Sequence, residues 1–182
     1  TTNMVELTAT DGSDNTNSVM CVVTVEDNVD PVAICPLVAP IVQLDVDGNG
    51  TLAANALAGA QSTDACGIAE ETSPETAFTC DDIGTMNMVQ LTATDVNDNT
   101  GTTMCAVTVV DEVDPVAVCP LVAPVGQLDS DGNGTLAADA LAGGQSTDAC
   151  GAPVETSPET MFSCGEVGTM NMVELTATDG SD

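Results

Sequence analysis

Apolar and polar residues alternate along this chain in short runs. In MVQLTAT (Met88 to Thr94), Val89, Leu91 and Ala93 share one face; in MCAVTVV (Met104 to Val110), Cys105, Val107 and Val109 do. A period of two over so few residues marks half-buried strands, and the richness in Thr and Val suits a pleated surface. Turn chemistry separates the runs at DVDGNG (Asp45 to Gly50), TSPET (Thr72 to Thr76) and DVNDNTG (Asp95 to Gly101). LAANALAG (Leu52 to Gly59) alone has helical spelling, and its closing glycine predicts at most a short helical turn.

The runs themselves recur. TTNMVELTATDGSDN at Thr1 returns as TMNMVQLTATDVNDN at Thr85 and as TMNMVELTATDGSD at Thr169, a constant offset of 84 in the numbering. Every cysteine obeys it: Cys21 to Cys105, Cys35 to Cys119, Cys66 to Cys150, Cys80 to Cys164. Starting and stopping at nearly one phase, the chain reads as a window on a longer tandem array whose export signal lies elsewhere. Acids followed by proline, in VEDNVDP (Val25 to Pro31) and VVDEVDP (Val109 to Pro115), place the boundaries. One complete domain is expected over 31–114, the last strands of a preceding one over 1–30, and most of a following one over 115–182. Several short strands per period predict an all-β fold of tandem immunoglobulin-like β-sandwich repeats, one to each period and stapled by disulfides.

The order DPVAxCP, QLDxDGNGTL, STDACG, SPETxFxC, VxLTATDxxDN, MCxVTVxD resembles the hyalin-repeat-like modules of large bacterial surface proteins, including gliding-motility-type adhesins, and the resemblance covers the whole period. It implies an immunoglobulin-like fold, secretion in long arrays, and a role in adhesion or as a stalk.

Composition narrows the function. The chain has no Lys, Arg or His against 29 Asp and Glu, for a net charge of −29. Nucleic-acid binding, which needs basic side chains on phosphates, is excluded. Phe78 and Phe162, at equivalent positions, are the only aromatics and read as one core ring per domain, not as a sugar-stacking face. No apolar run reaches the roughly 20 residues of a membrane helix, so no membrane insertion is expected. No serine or cysteine has a histidine or lysine to activate it. Paired carboxylates can do acid–base chemistry, but catalysis gains nothing from duplication in every period, so the chain is not expected to be an enzyme. A folded core beside so much charge calls for divalent cations, Ca2+ above all.

Four cysteines per period, with no CxxC pair and no histidine, argue against zinc and for disulfides in an oxidising compartment. Four cysteines allow three pairings. In an immunoglobulin-like sandwich the first and last strands run parallel side by side, which favours Cys35–Cys105 and leaves Cys66–Cys80 and Cys150–Cys164, with Cys21 and Cys119 bonded to neighbouring repeats. The rival pairing, Cys21–Cys35 and Cys105–Cys119, folds the array back at each linker.

Of nine aspartates in residues 1–84, seven are aspartate again one period later, whereas of five glutamates only Glu71 and Glu75 are kept. A metal loop needs the short acid; solvated charge does not. Three clusters hold the kept aspartates. Asp45, Asp47, Asn49 and Gly50, with Asp129, Asp131, Asn133 and Gly134, spell the first half of a calcium loop but have Ala56 and Ala140 where an EF-hand has its bidentate glutamate. Set beside a plain Asp/Gly turn, a calcium hairpin with ligands from elsewhere is the sharper reading. The second cluster is Asp11 and Asp14, repeated as Asp95 and Asp98; the third is the linker pairs Asp27, Asp30 and Asp111, Asp114. With Asp64 and Asp148 of the STDACG loops these make a candidate junction site of Asp45, Asp47, Asn49, Asp111, Asp114, Asp148, Asp179 and Asp182.

The expected function is therefore a structural repeat of an extracellular calcium-binding fibre that assembles with itself, end to end or laterally. The stalk or binding module of a bacterial adhesin, with a surface or glycan ligand, and an acidic mineral-binding matrix protein remain alternatives.

Overall fold

A computed structural model describes residues 2–180. Among them the regular structure is β-strand plus two single 3-10 turns, Cys80–Asp82 and Cys164–Glu166. No helix among the described residues is long and apolar enough to cross a membrane.

The middle segment carries β3 (Ile41–Gln43), β4 (Asn49–Leu52), β5 (Ile68–Thr72), β6 (Thr76–Thr79), β7 (Asn87–Asp95) and β8 (Thr100–Val110), after the hairpin of β1 (Asn3–Thr10) and β2 (Thr16–Val23). A four-stranded sheet has the order β3-β8-β7-β5, and β4 pairs with β6 in a second sheet. The first strand, β3, runs parallel to the last, β8, with Ile41 opposite Thr108; the other pairings are antiparallel. The two sheets share one core. Val89 and Leu91 of β7 and Cys105, Val107 and Val109 of β8 meet Leu52 of β4, Phe78 of β6 and the loop residue Leu57. The period-two pattern thus placed the inward face correctly, because a strand between two neighbours has only one side to bury.

No helix forms over Leu52 to Gly59. Successive turns run through it, Ala56 N–H donating to Ala53 O and Ala58 N–H to Asn55 O, with Asn55 at φ 63°. Asn55 is locked to Ser73: its N–H donates to Ser73 O at 2.9 Å, and its Oδ1 accepts from Ser73 N–H at 3.1 Å. Ser73 Oγ accepts from Leu57 N–H, and Leu57 is thereby driven fully into the core. One period on, Asp139 (φ 58°), Ser157 and Leu141 repeat the lock, with an acid in place of the amide because only the acceptor oxygen is used.

Residues 115–180 build the same parts less completely. β9 (Asn133–Leu136) pairs with β11 (Thr160–Ser163), and β10 (Val154–Thr156) with β12 (Thr176–Thr178) over three residues. Among the described residues no strand forms at 125–127, the counterpart of β3. Phe162, the counterpart of buried Phe78, is only half-buried.

The β1–β2 hairpin shows the converse. Its eight cross-strand pairs, Asn3↔Val23 to Thr10↔Thr16, match the β7–β8 ladder, yet every residue of both strands is exposed. Leu7 is 61% exposed where its counterpart Leu91 is 0% exposed. Truncating one motif residue in two places should therefore give two outcomes. Leu91→Ala is expected to cost about 2–5 kcal/mol in urea unfolding, and Leu7→Ala less than about 0.5 kcal/mol at dilutions that keep the chain monomeric.

Candidate metal centre

The aspartates of the turns first serve the backbone. Asp45 Oδ1 accepts from the N–H groups of Asp47 and Asn49 at 3.0 Å each, and Asp129 does the same for Asp131 and Asn133 at 2.9 Å. Asp11 and Asp95 each hold their turn through two backbone amides and the Asn15 or Asn99 side-chain amide. Asp14 and Asp98 occupy left-handed positions, φ 66° and 69°, that short polar side chains tolerate. A glutamate oxygen lies one methylene too far for these contacts, so turn geometry by itself accounts for much of the fixed aspartate pattern.

A subset does more. Asp111, Asp148 and Asp179 bring ligand oxygens to within 4.8 Å of one another. They come from three places: the linker after β8, the loop before β10, and the turn after β12. Asp111 is 3% exposed. One of its oxygens accepts from Val113 N–H at 3.0 Å, and the other, Oδ2, is buried without a hydrogen-bond partner. Asp148 likewise gives Oδ2 to Cys150 N–H at 2.9 Å and keeps Oδ1 buried and unpartnered. An unpaired buried carboxylate oxygen is costly, and like charges this close repel one another. An all-oxygen set with buried, unpaired atoms turned to one point suits a hard divalent cation, which takes 6–8 oxygens and draws the remainder from carbonyls and water.

One period earlier, Asp27, Asp64 and the Cys66 thiol form the matching group. The hydrogen bond with Asp27 and its negative charge push the Cys66 thiol up from its ordinary range. Asn99 Nδ2 donates to Asp27 O at 3.2 Å, tying the turn after β7 to the linker. Sulfur in this group is no sign of a soft-metal site, because its counterpart Cys150 is consumed in a disulfide.

Among the described residues the carboxylates gather in these two groups. Asp45, Asp47, Asp129 and Asp131, and with them Asn49 and Asn133, stand outside them, as do Asp11, Asp14, Asp30, Asp95, Asp98 and Asp114; Asp182 lies outside the described residues. The Asp45 hairpin still reaches the second junction. Gly48, at φ +74°, leaves space where a Cβ would come within 2.6 Å of Cys80 Sγ and 3.4 Å of Ala149 O.

The disulfides confirm one expected pair and correct two. Cys35–Cys105 forms, as the parallel β3–β8 pairing requires. Cys66–Cys80 and Cys150–Cys164 do not; Cys80 bonds instead to Cys150, across the linker. The reason is the length of β7. Cys66 stands beside Asp95 at its C-terminal end, whereas Cys80 opens the 3-10 turn that Asn87 Nδ2, at its N-terminal end, binds through Asp82 O at 2.8 Å. Nine extended residues, about 30 Å, lie between them. Both bonds span 70 residues, and Cys21, Cys66, Cys119 and Cys164 are free within the chain. Two such bonds indicate an oxidising compartment.

The two kept glutamates include one whose role sequence reasoning missed. Glu71 Oε1 accepts from Ser62 N–H at 2.9 Å, and its Oε2 from Ala60 N–H. Glu155 does the same for Gly143, Gly144 and Ser146, and the Ser146 hydroxyl and these amides hold its carboxyl down at about 2. Retention of this glutamate between copies, against the general drift, was the available signal. The drifting pair Asp82 and Glu166 share a role that either acid fills, accepting from the N–H of Thr79 or Ser163 to cap the 3-10 turn.

The chain matches no protein-family model, no curated protein and no solved structure.

Two outcomes are expected. Because the Glu155 value lies below the ordinary 4.5, its contribution is fully present above pH 4.5 and is lost as pH falls through 2. The protection of the amides of residues 143–146, after correction for intrinsic exchange, should fall over that window, and this fall should be absent in Glu155→Gln. Cys150→Ser should lower stability by about 2–4 kcal/mol in urea unfolding, whereas Cys164→Ser should leave it within about 0.5 kcal/mol.

Proposed function

We propose that the chain is a stretch of an extracellular structural fibre, built from immunoglobulin-like repeats, one to each sequence period, and stiffened at each junction by a bound calcium ion and a disulfide. The observation that carries this reading is the buried, unpartnered Oδ2 of Asp111, held against Asp148 and Asp179 from the following segment. Its role is mechanical: one linker carboxylate and two carboxylates of the next repeat share an ion, so the linker cannot swing without losing ligands. The Cys80–Cys150 bond closes the same junction covalently. With no basic side chain in the sequence, solution cations are the only counter-charge available to it. Secretion and the likeness to hyalin-type surface repeats fit this role, and no residue in it is asked to do chemistry.

Calcium should raise the melting temperature, and a chelator should lower it by about 5 °C or more, since each kcal/mol shifts a domain of this size by several degrees. Asp111→Asn should remove most of the calcium-dependent part. A melting curve indifferent to chelator, in the wild type at neutral pH, contradicts the reading.

A further inference from the structure

The acidic group is built twice in this chain, and the two copies differ in the state of one sulfur. Asp27 and Asp64 are the counterparts of Asp111 and Asp148, and Cys66 of Cys150. The backbone holds the acids alike in both. Asp64 Oδ1 accepts from Cys66 N–H at 2.7 Å, and Asp148 Oδ2 from Cys150 N–H at 2.9 Å. Asp27 Oδ1 accepts from Val29 N–H at 3.1 Å, and Asp111 Oδ1 from Val113 N–H at 3.0 Å. The sulfurs stand differently. Cys66 Sγ, a thiol, lies inside the group, within 4.8 Å of ligand oxygens of Asp27 and Asp64. Cys150 Sγ is bonded to Cys80 and faces the Gly48 turn, where a Cβ would lie 3.7 Å from it. Whatever bond Cys66 takes up in a longer chain, its thiol form shows where this sulfur sits when reduced.

A thiol in that place works against a hard cation. It fills coordination space with a neutral sulfur where calcium takes oxygen, and it hydrogen-bonds the Asp27 carboxylate that the ion would share. Drawing the sulfur across to Cys80 removes both obstacles. Asp111 Oδ2 and Asp148 Oδ1, buried and unpartnered, are then left to the ion.

We propose that the Cys80–Cys150 bond gates the junction cation: closed, it clears the acidic group for calcium; opened, it returns the Cys150 thiol to Asp111 and Asp148, and the ion is released. This rests on the calcium reading and names the regulation of that site. Opening takes a dithiol reductant: the disulfide accepts two electrons and two protons to give two thiols, and the reductant leaves as its own cyclic disulfide. The coupling is reciprocal, so bound calcium makes the bond harder to open by the factor that the bond adds to calcium affinity.

The test is calorimetric titration of the metal-stripped full chain with calcium at neutral pH, beside two variants. Cys80→Ala leaves a thiol at Cys150; Cys80→Ala with Cys150→Ala leaves neither bond nor thiol. Affinity is expected to fall about tenfold or more in the single variant, and the double variant to bind about fivefold or more tighter than the single one. In the wild-type chain, saturating calcium should raise the reduced-to-oxidised dithiol ratio that half-opens Cys80–Cys150 by about tenfold or more, read by alkylation and mass spectrometry. Equal affinity in the wild type and Cys80→Ala overturns the proposal. So does a double variant no tighter than the single one, in which case the bond is only a tether, and so does a half-opening ratio indifferent to calcium. Each of these results leaves calcium binding by the wild type standing, whereas a wild-type chain that takes up no calcium overturns both readings.

Discussion

A carboxylate that leaves water must be met by something, and this chain contains no lysine, arginine or histidine to meet it. Backbone amides, side-chain amides and hydroxyls carry the whole burden within the fold. At Asp95 burial pushes the carboxyl up, but the Asn99 side chain and the amides of Asn97 and Asn99 outweigh it, and the net value is lowered. At Glu155 a hydroxyl and three amides do likewise. These are inward-looking solutions: each acid organises its own turn or loop. Where two segments meet, amides run out. Asp111 and Asp148 each spend one oxygen on a local N–H and bury the other unpaired, on either side of the boundary. The deficit falls at the linker, which is where the proposed cation would have mechanical effect.

The two devices at that junction complement each other. The Cys80–Cys150 bond links the 3-10 turn after β6 to the loop before β10. The acidic cluster links the linker to that same loop and to the turn after β12. In the proposed fibre a disulfide alone would leave a swivel, and an ion shared by the acidic cluster would be the second fixed point that removes the freedom. The Asp45 hairpin, pressed on the bond through Gly48, packs the third side.

The alternation of β7 and β8, the sharing of one core by both sheets, and the parallel neighbours β3 and β8 were all legible in the sequence, because each follows from strand period or sandwich topology. Cys35–Cys105 followed from them. Cys80–Cys150 did not, because its partner lies in the next repeat and a within-repeat assumption hides it, although the shared spacing of 70 residues was there to be found. The absent helix at Leu52 to Gly59 traces to Asn55 and its lock on Ser73, a contact between loops 18 residues apart that no local propensity contains. Of the candidate ligands, Asp111, Asp148 and Asp179 were named together, but so were Asp45 and Asp47, which the fold keeps apart from them. Burial separates the two kinds, and burial is a tertiary property: a short acid in a turn looks the same from the sequence whether its second oxygen faces water or its neighbour's carboxylate.

The claim that junction carboxylates hold calcium is most directly tested by calorimetric titration of the metal-stripped chain with calcium at neutral pH, beside Asp111→Asn and Asp47→Asn. Saturable binding that is lost in Asp111→Asn and retained in Asp47→Asn is the predicted result. Binding unchanged by Asp111→Asn, or absent from the wild type, would contradict it.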